Sequence, residues 1–175
     1  MKTITFKRIY PTMIWKEPVD LENLNRIGHG NLVHWLGIEF TEVGDNYLIA
    51  RMPVDVRTIQ PLGMLHGGAS ATLAETVATY ASMLCIDNFL THQSLCMENN
   101  VHHLRTATEG HVLARAEPVR LGRKIHVWSV EIKDDRQRLI GLSLLTVAIK
   151  RRWDPRSIES IPGKRQFQGE AFSLS

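Results

Sequence analysis

The stretch from Ala69 to Ile86 constrains the fold more than any other, because Glu75 is its only formal charge. Alanine, leucine, methionine and valine dominate it, and its length suits an α-helix of about five turns. A helix apolar nearly all round has to be covered on most of its sides. The segments around it have a different period. Gly37–Val43 and Tyr47–Val54 read as strands joined at Gly44–Asp45–Asn46. Further strands are expected over about Ser94–Leu104, over His111–Glu117 and on past Pro118, and over Ile125–Lys133 and Leu139–Lys150. A polar turn, Asp134–Gln137, joins the last two. Val, Ile and Trp alternate with polar residues here. Trp128, Val130 and Ile132 share a face, as do Leu142, Leu144 and Thr146. The fold class expected is α+β, an antiparallel sheet covered on one face and wrapped around a long central helix.

Ahead of this, Asp20 is placed to cap a short helix, Leu21–Ile27, which Gly28 and Gly30 end. Asn31–Leu36 adds another helical turn. Residues 1–12 read as an N-terminal extension, 13–150 as one domain, and 151–175 as an irregular tail or one pinned to a neighbouring subunit. No run approaches the ~18 apolar residues of a membrane helix. The N-terminus has no apolar core or cleavage site of a secretory signal, so the expected location is the cytoplasm, with no membrane partner. The two cysteines, Cys85 and Cys96, sit in apolar stretches as small hydrophobes. No CxxC or Cys/His spacing is present, and the adjacent His102 and His103 point to opposite faces of a strand. No metal site is expected. Net charge is +3 with the excess late, in Arg120, Arg123 and Lys124 and again in Lys150–Arg152. Solvated turns explain such residues one by one. Together they form a basic rim suited to a polyanionic small ligand, and the absence of an aromatic-interleaved basic stripe argues against nucleic acid.

The run Gln60–Ser70, followed by Glu75 and Thr79, carries the chemistry. Gly67 and Gly68 open the helix, where backbone N–H groups lack intrahelical acceptors and the dipole favours negative charge. With no side chains there, a ligand carbonyl oxygen can come close, as in an oxyanion hole. A tightly packed loop-to-helix junction would also use two glycines. Thr72, Glu75, Thr79 and Ser82 fall at spacings of three, four and three, as one stripe. A stripe facing water normally carries several charges, whereas a lone carboxylate on such a helix calls for a role or a partner. Gly67 and Glu75 are eight residues apart, roughly 12 Å along one helix. Both cannot reach one reacting carbonyl within one chain, but if two such helices pair antiparallel across a two-fold axis, Gly67 of one chain can approach Glu75 of the other. A homodimer with two shared sites is therefore expected.

At these residues the chain resembles the PaaI-like hotdog-fold thioesterases, and most closely the branch acting on 1,4-dihydroxy-2-naphthoyl-CoA and 4-hydroxybenzoyl-CoA. The likeness spans about Met13–Lys150. It rests on Met13–Lys16, Met52–Asp55, Arg57–Thr58, Gln60–Pro61, Leu65–Ser70, Leu73–Glu75, His103–Arg105 and Val127–Trp128. The resemblance implies that Glu75 is nucleophile or general base, and that Gln60 and the Gly67 amide hold the thioester oxygen. By the same likeness His66 positions substrate or supports its loop, and Thr79 orients the attacking water. His103, Leu104, Arg105 and Thr106 match a CoA-contacting strand, and Arg120, Leu121, Gly122, Arg123 and Lys124 match the loop at the nucleotide end. Cys96 and Met97 stand on a substrate-side strand where near relatives have Gly and Leu, and Tyr80 is bulkier than the aliphatic residue there. The acyl pocket is where this chain departs from the pattern.

The activity implied is hydrolysis of an aromatic acyl-CoA to free acid and CoA, without metal or redox cofactor. The best match is 1,4-dihydroxy-2-naphthoyl-CoA, of the menaquinone and phylloquinone pathways, with a homotetramer of two dimers as the assembly. Alternatives are a broad phenylacetyl- or medium-chain acyl-CoA thioesterase and a hotdog 3-hydroxyacyl dehydratase. A non-catalytic acyl-CoA sensor is the remaining one, disfavoured because the residues before Met13 are too few for a DNA-binding domain.

Overall fold

The computed structural model describes residues 13–88 and 90–152. The expected extension over 1–12, and the expected tail beyond its first two residues, lie outside them. Helix α1 (Leu21–Ile27) begins where Asp20 accepts from the backbone N–H groups of Glu22 and Asn23, donors that the helix itself leaves free. Gly28 ends it, and Asn31 caps a single further turn, α2 (Leu32–Trp35), in the same way.

Strands β1 (Glu39–Val43) and β2 (Leu48–Pro53) form a hairpin, after which the long helix α3 (Gly67–Leu84) crosses the sheet. Four strands follow: β3 (His92–His103), β4 (His111–Leu121), β5 (Ile125–Asp134) and β6 (Leu139–Arg151). All neighbours are antiparallel, in the order β1-β2-β4-β5-β6-β3. This is the hotdog arrangement. Helix α3 starts two residues earlier than the apolar run suggests, because the two glycines are themselves its first turn.

The core lies between α3 and one face of the sheet. Leu48, Ala50 and Met52 of β2, Val112, Ala114 and Ala116 of β4, and Trp128, Val130 and Ile132 of β5 are fully buried. Leu73, Ala74, Val77, Ala78 and Ala81 meet them from α3. Alanines on that face let the helix sit close to the strands. On β6 the expected alternation is present. Leu142, Leu144 and Thr146 do share a face, but it is the outer one: Leu142 and Leu144 are exposed, while Ser143, Leu145 and Val147 are buried. The register decides this, since Val130 pairs with Ser143 and Trp128 with Leu145, and strand faces alternate residue by residue.

The two sheet edges differ. At β1, Asn25 of α1 takes both backbone groups of Phe40, accepting from its N–H at 2.8 Å and donating to its carbonyl at 3.0 Å. That side chain stands where another strand would pair. Nothing among the described residues covers β3, so a strand of 12 residues is open along one side. No helix of the described residues is long and apolar enough to cross a membrane.

His126, at the start of β5, is 5% exposed, and its Nδ1 has no hydrogen-bond partner among the described residues. Burial pushes its pKa below the ordinary value of 6.5. Just below that value the unfolded chain therefore holds more protons than the folded one, and stability falls as the pH drops. We expect the melting temperature to fall between about pH 7.5 and 5.5, and His126→Gln to flatten that fall. A scan of melting temperature against pH on both proteins checks it.

Candidate active site

The approach to α3 is a tightly tied loop. The buried Thr58 hydroxyl donates to the Pro53 carbonyl at 2.7 Å and accepts from the Asp55 N–H at 3.0 Å. Further on, His66 N–H donates to Thr58 O and Leu65 N–H to Ala107 O, each at 2.8 Å. Inside these ties Gln60 begins a short turn: its N–H donates to Met64 O, and Gly63, at φ 75°, donates back to Gln60 O. The Gln60 backbone is thus fixed, and no bond to another described residue holds its side-chain amide.

His66 is the N-cap of α3. Its Nδ1 accepts from the Gly68 N–H at 2.8 Å, so Gly68 has its donor occupied. The Gly67 N–H has no acceptor among the described residues. A side chain at position 67 would meet His103, whose Nε2 lies 3.0 Å from where its Cβ would stand.

Glu75 is exposed in the single chain. The lone carboxylate of the central helix is therefore not buried by its own subunit: α3 covers the sheet with Ser70, Leu73, Ala74, Thr76, Val77, Ala78, Ala81 and Ser82 and turns Glu75 away. The polar stripe also ends sooner than its spacing suggests. Ser82 is wholly buried and accepts from Trp128 Nε1 at 2.7 Å. It lies only ~20° round the helix from Glu75 but about 10 Å further along the axis, where the indole of Trp128 covers it. Thr79 stays near Glu75, and its hydroxyl is buried without a partner among the described residues. Such a group is costly unless water or a ligand meets it.

Strand β3 is tied to α3 on both sides of Glu75. Asn99 Nδ2 donates to Ala71 O at 2.9 Å, and Ser94 Oγ donates to Thr79 O at 3.0 Å. Cys96 lies between those ties, opposite the buried Val147, and so faces the helix. Its thiol meets the Glu75 carboxylate and lies 3.5 Å from Glu98 O. Burial first, and the Glu75 charge second, push its pKa up to about 11. Cys85, more deeply buried, is pushed to about 12. Sequence reasoning put Cys96 on the substrate side but could not show that it touches the carboxylate. Alkylation of Cys96 by iodoacetamide should be slow near neutral pH. It should speed up roughly severalfold in Glu75→Gln, because less opposing charge leaves more thiolate; peptide mass spectrometry reads both rates.

The expected CoA contacts fall at two ends of the sheet. His103, Leu104, Arg105 and Thr106 close β3 beside Gly67, with Arg105 Nη1 donating to Leu139 O at 3.1 Å. Arg120 and Leu121 end β4 and Gly122, Arg123 and Lys124 turn into β5, near the start of β3. There a cleft of about 700 Å³ is lined by Lys16, Asn88, His92, Gly122, Arg123 and His126, among others. A 12-residue strand is roughly 40 Å long, so one chain does not bring these two groups together. Among the described residues no three His, Cys, Asp or Glu side chains could hold a metal ion.

Residues 62–140 match the family model described as the thioesterase superfamily. A 1,4-dihydroxy-2-naphthoyl-CoA hydrolase of Escherichia coli is 46% identical over 137 residues, which are 78% of this chain and 99% of that protein. A crystal structure of a thioesterase from Haemophilus influenzae superposes with a TM-score of 0.77 at 40% identity, covering 82% of this chain and 99% of that one. A Staphylococcus aureus protein is 35% identical with a TM-score of 0.68, over 70% of this chain and 100% of that one. It has been crystallised with a glutamate replaced by alanine and, separately, with a glutamine fifteen residues earlier replaced by alanine. Gln60 and Glu75 have the same separation.

Proposed function

The chain belongs to the thioesterase superfamily and is an acyl-CoA thioesterase, and from that premise we propose that its substrate is an aromatic acyl-CoA, best matched by 1,4-dihydroxy-2-naphthoyl-CoA. The observation that carries this reading is the 46% identity to the Escherichia coli hydrolase of that thioester, along almost its whole length. In the reaction, oxygen bonds to the acyl carbon, the C–S bond breaks, and the CoA sulfur leaves with a proton.

In this reading Glu75 either attacks the acyl carbon or takes a proton from the attacking water. The free Gly67 N–H and the side-chain amide of Gln60 donate to the thioester oxygen as charge builds there. His66 keeps the loop in place, and the unpaired Thr79 hydroxyl holds the water beside Glu75. Cys96 lines the acyl side. His103 to Thr106 and the Arg120 to Lys124 turn receive the CoA arm, the arginines and lysine suiting its phosphates.

Each site takes Glu75 from one subunit and Gly67 from the other. Support comes from the 12 Å spacing, from the open β3 edge, and from CoA contacts at opposite ends of that strand. Pairing two β3 strands antiparallel across a two-fold axis would set the His103 end of one against the His92 end of the other. Two such dimers would then join as a tetramer, for which the outward Leu142 and Leu144 offer an apolar face. Two free thiols suit a cytoplasmic setting.

Steady-state turnover of dihydroxynaphthoyl-CoA, phenylacetyl-CoA and a medium-chain acyl-CoA tests the assignment. The expected result is a kcat/KM for the first that exceeds the others by ten-fold or more, about 1.4 kcal/mol of discrimination. Equal values on all three would defeat it.

A further inference from the structure

Ser70 stands in the first turn of α3 and is 1% exposed. Its hydroxyl lies 2.9 Å from the Gly67 carbonyl oxygen and 3.3 Å from Nδ1 of His103. A carbonyl can only accept, and a hydroxyl has one proton to give. That proton goes to Gly67 along the shorter contact, so the Ser70 oxygen meets His103 as an acceptor. In a neutral ring one nitrogen carries the proton and the other a lone pair. The nitrogen facing Ser70 must then be the protonated one.

The lone pair falls to Nε2. This nitrogen lies 3.0 Å from where a Cβ of residue 67 would be, on a ring that is exposed. The helix entrance thus presents a backbone donor, the Gly67 N–H, and beside it an imidazole acceptor. An acyl-CoA alternates in the complementary sense: a thioester carbonyl, then sulfur, two methylenes and an amide N–H. We propose that Ser70 is a positioning residue that fixes His103 as the Nδ1–H tautomer, so that Nε2 accepts the first amide N–H of the substrate's thiol arm. The ligand half of this rests on the site reading above, with Gly67 holding the carbonyl. The tautomer half does not.

The tautomer can be read on the full-length protein without turnover. Long-range ¹H–¹⁵N spectra of histidine-labelled enzyme at about pH 8, where an ordinary imidazole is neutral, report which nitrogen is protonated; loss of the signal in His103→Asn assigns it. Wild type should show Nδ1 protonated and Nε2 bare. Ser70→Ala should shift the population toward Nε2–H and raise KM for the acyl-CoA about five- to tenfold, the range of one hydrogen bond, with kcat changed much less. Ser70→Thr, which keeps the hydroxyl, should restore both. Finding Nε2–H in wild type overturns the proposal, as does a Ser70→Ala enzyme whose tautomer shifts while KM stays the same. Full activity in Glu75→Gln would instead remove the site reading and leave the tautomer result standing.

Discussion

Replacing Glu75 with glutamine is expected to lower kcat by roughly 10²- to 10⁴-fold, the span of a lost acid–base group, while CoA binding persists. The side chains that meet or flank the carboxylate offer no substitute. Cys96 holds its proton up to about pH 11, and Thr79 brings only a hydroxyl. Glutamine keeps the size and one acceptor but can neither attack as a carboxylate nor take a proton. The residues proposed to hold CoA lie on other elements, so calorimetric titration with CoA should give an unchanged Kd. Hydrolysis at the wild-type rate would remove Glu75 from the mechanism. Single turnovers in ¹⁸O water separate its two roles, since only direct attack leaves label in the Glu75 carboxylate.

Trp128→Ala should have the largest effect on stability. The indole is wholly buried under α3, and its Nε1–H donates to the equally buried Ser82 hydroxyl at 2.7 Å. Truncation opens a cavity and strands that hydroxyl, a combined cost of about 3–5 kcal/mol. A chain of this size loses on the order of ten degrees of melting temperature for such a change. Trp35, 64% exposed, is the control: Trp35→Ala should stay within about 0.5 kcal/mol. Urea denaturation of the two variants makes the comparison, and equal losses would mean that α3 does not rest on β5 as described.

The elements that carry this core were legible because their periods are strong. The apolar run after Gly68 is long enough to be only a helix, and Trp128, Val130 and Ile132 alternate cleanly on β5. What escaped was set by register and by position along the helix. Leu142 and Leu144 look like core residues by hydropathy, yet pairing with β5 turns them outward. Ser82 lies on the Glu75 stripe by rotation, yet it sits about two turns further on, where Trp128 of β5 covers it. Of the candidate site, Glu75 and the glycines were marked by local chemistry, one charge on an apolar helix and a side-chain-free helix start. The contact between Cys96 and Glu75, and the bond between Ser70 and His103, join β3 to α3 across 21 and 33 positions of sequence. Nothing in the local pattern marks such pairs. The open face of α3 is likewise invisible to composition, which predicts a covered helix without saying which molecule covers it.

That cover is the central claim: a second copy of the chain, supplying Gly67 to the first copy's Glu75. Subunit mixing tests it most directly. Glu75→Ala and Gly67→Val, the latter forcing a side chain against His103, should each be inactive while still folding and dimerising. Co-expressed in equal amounts with different tags, they should recover about a quarter of wild-type activity. Half of the dimers are then mixed, and each mixed dimer holds one site with both native groups. Activity no greater than that of the two parents, in a preparation shown to contain mixed dimers, would contradict the shared site.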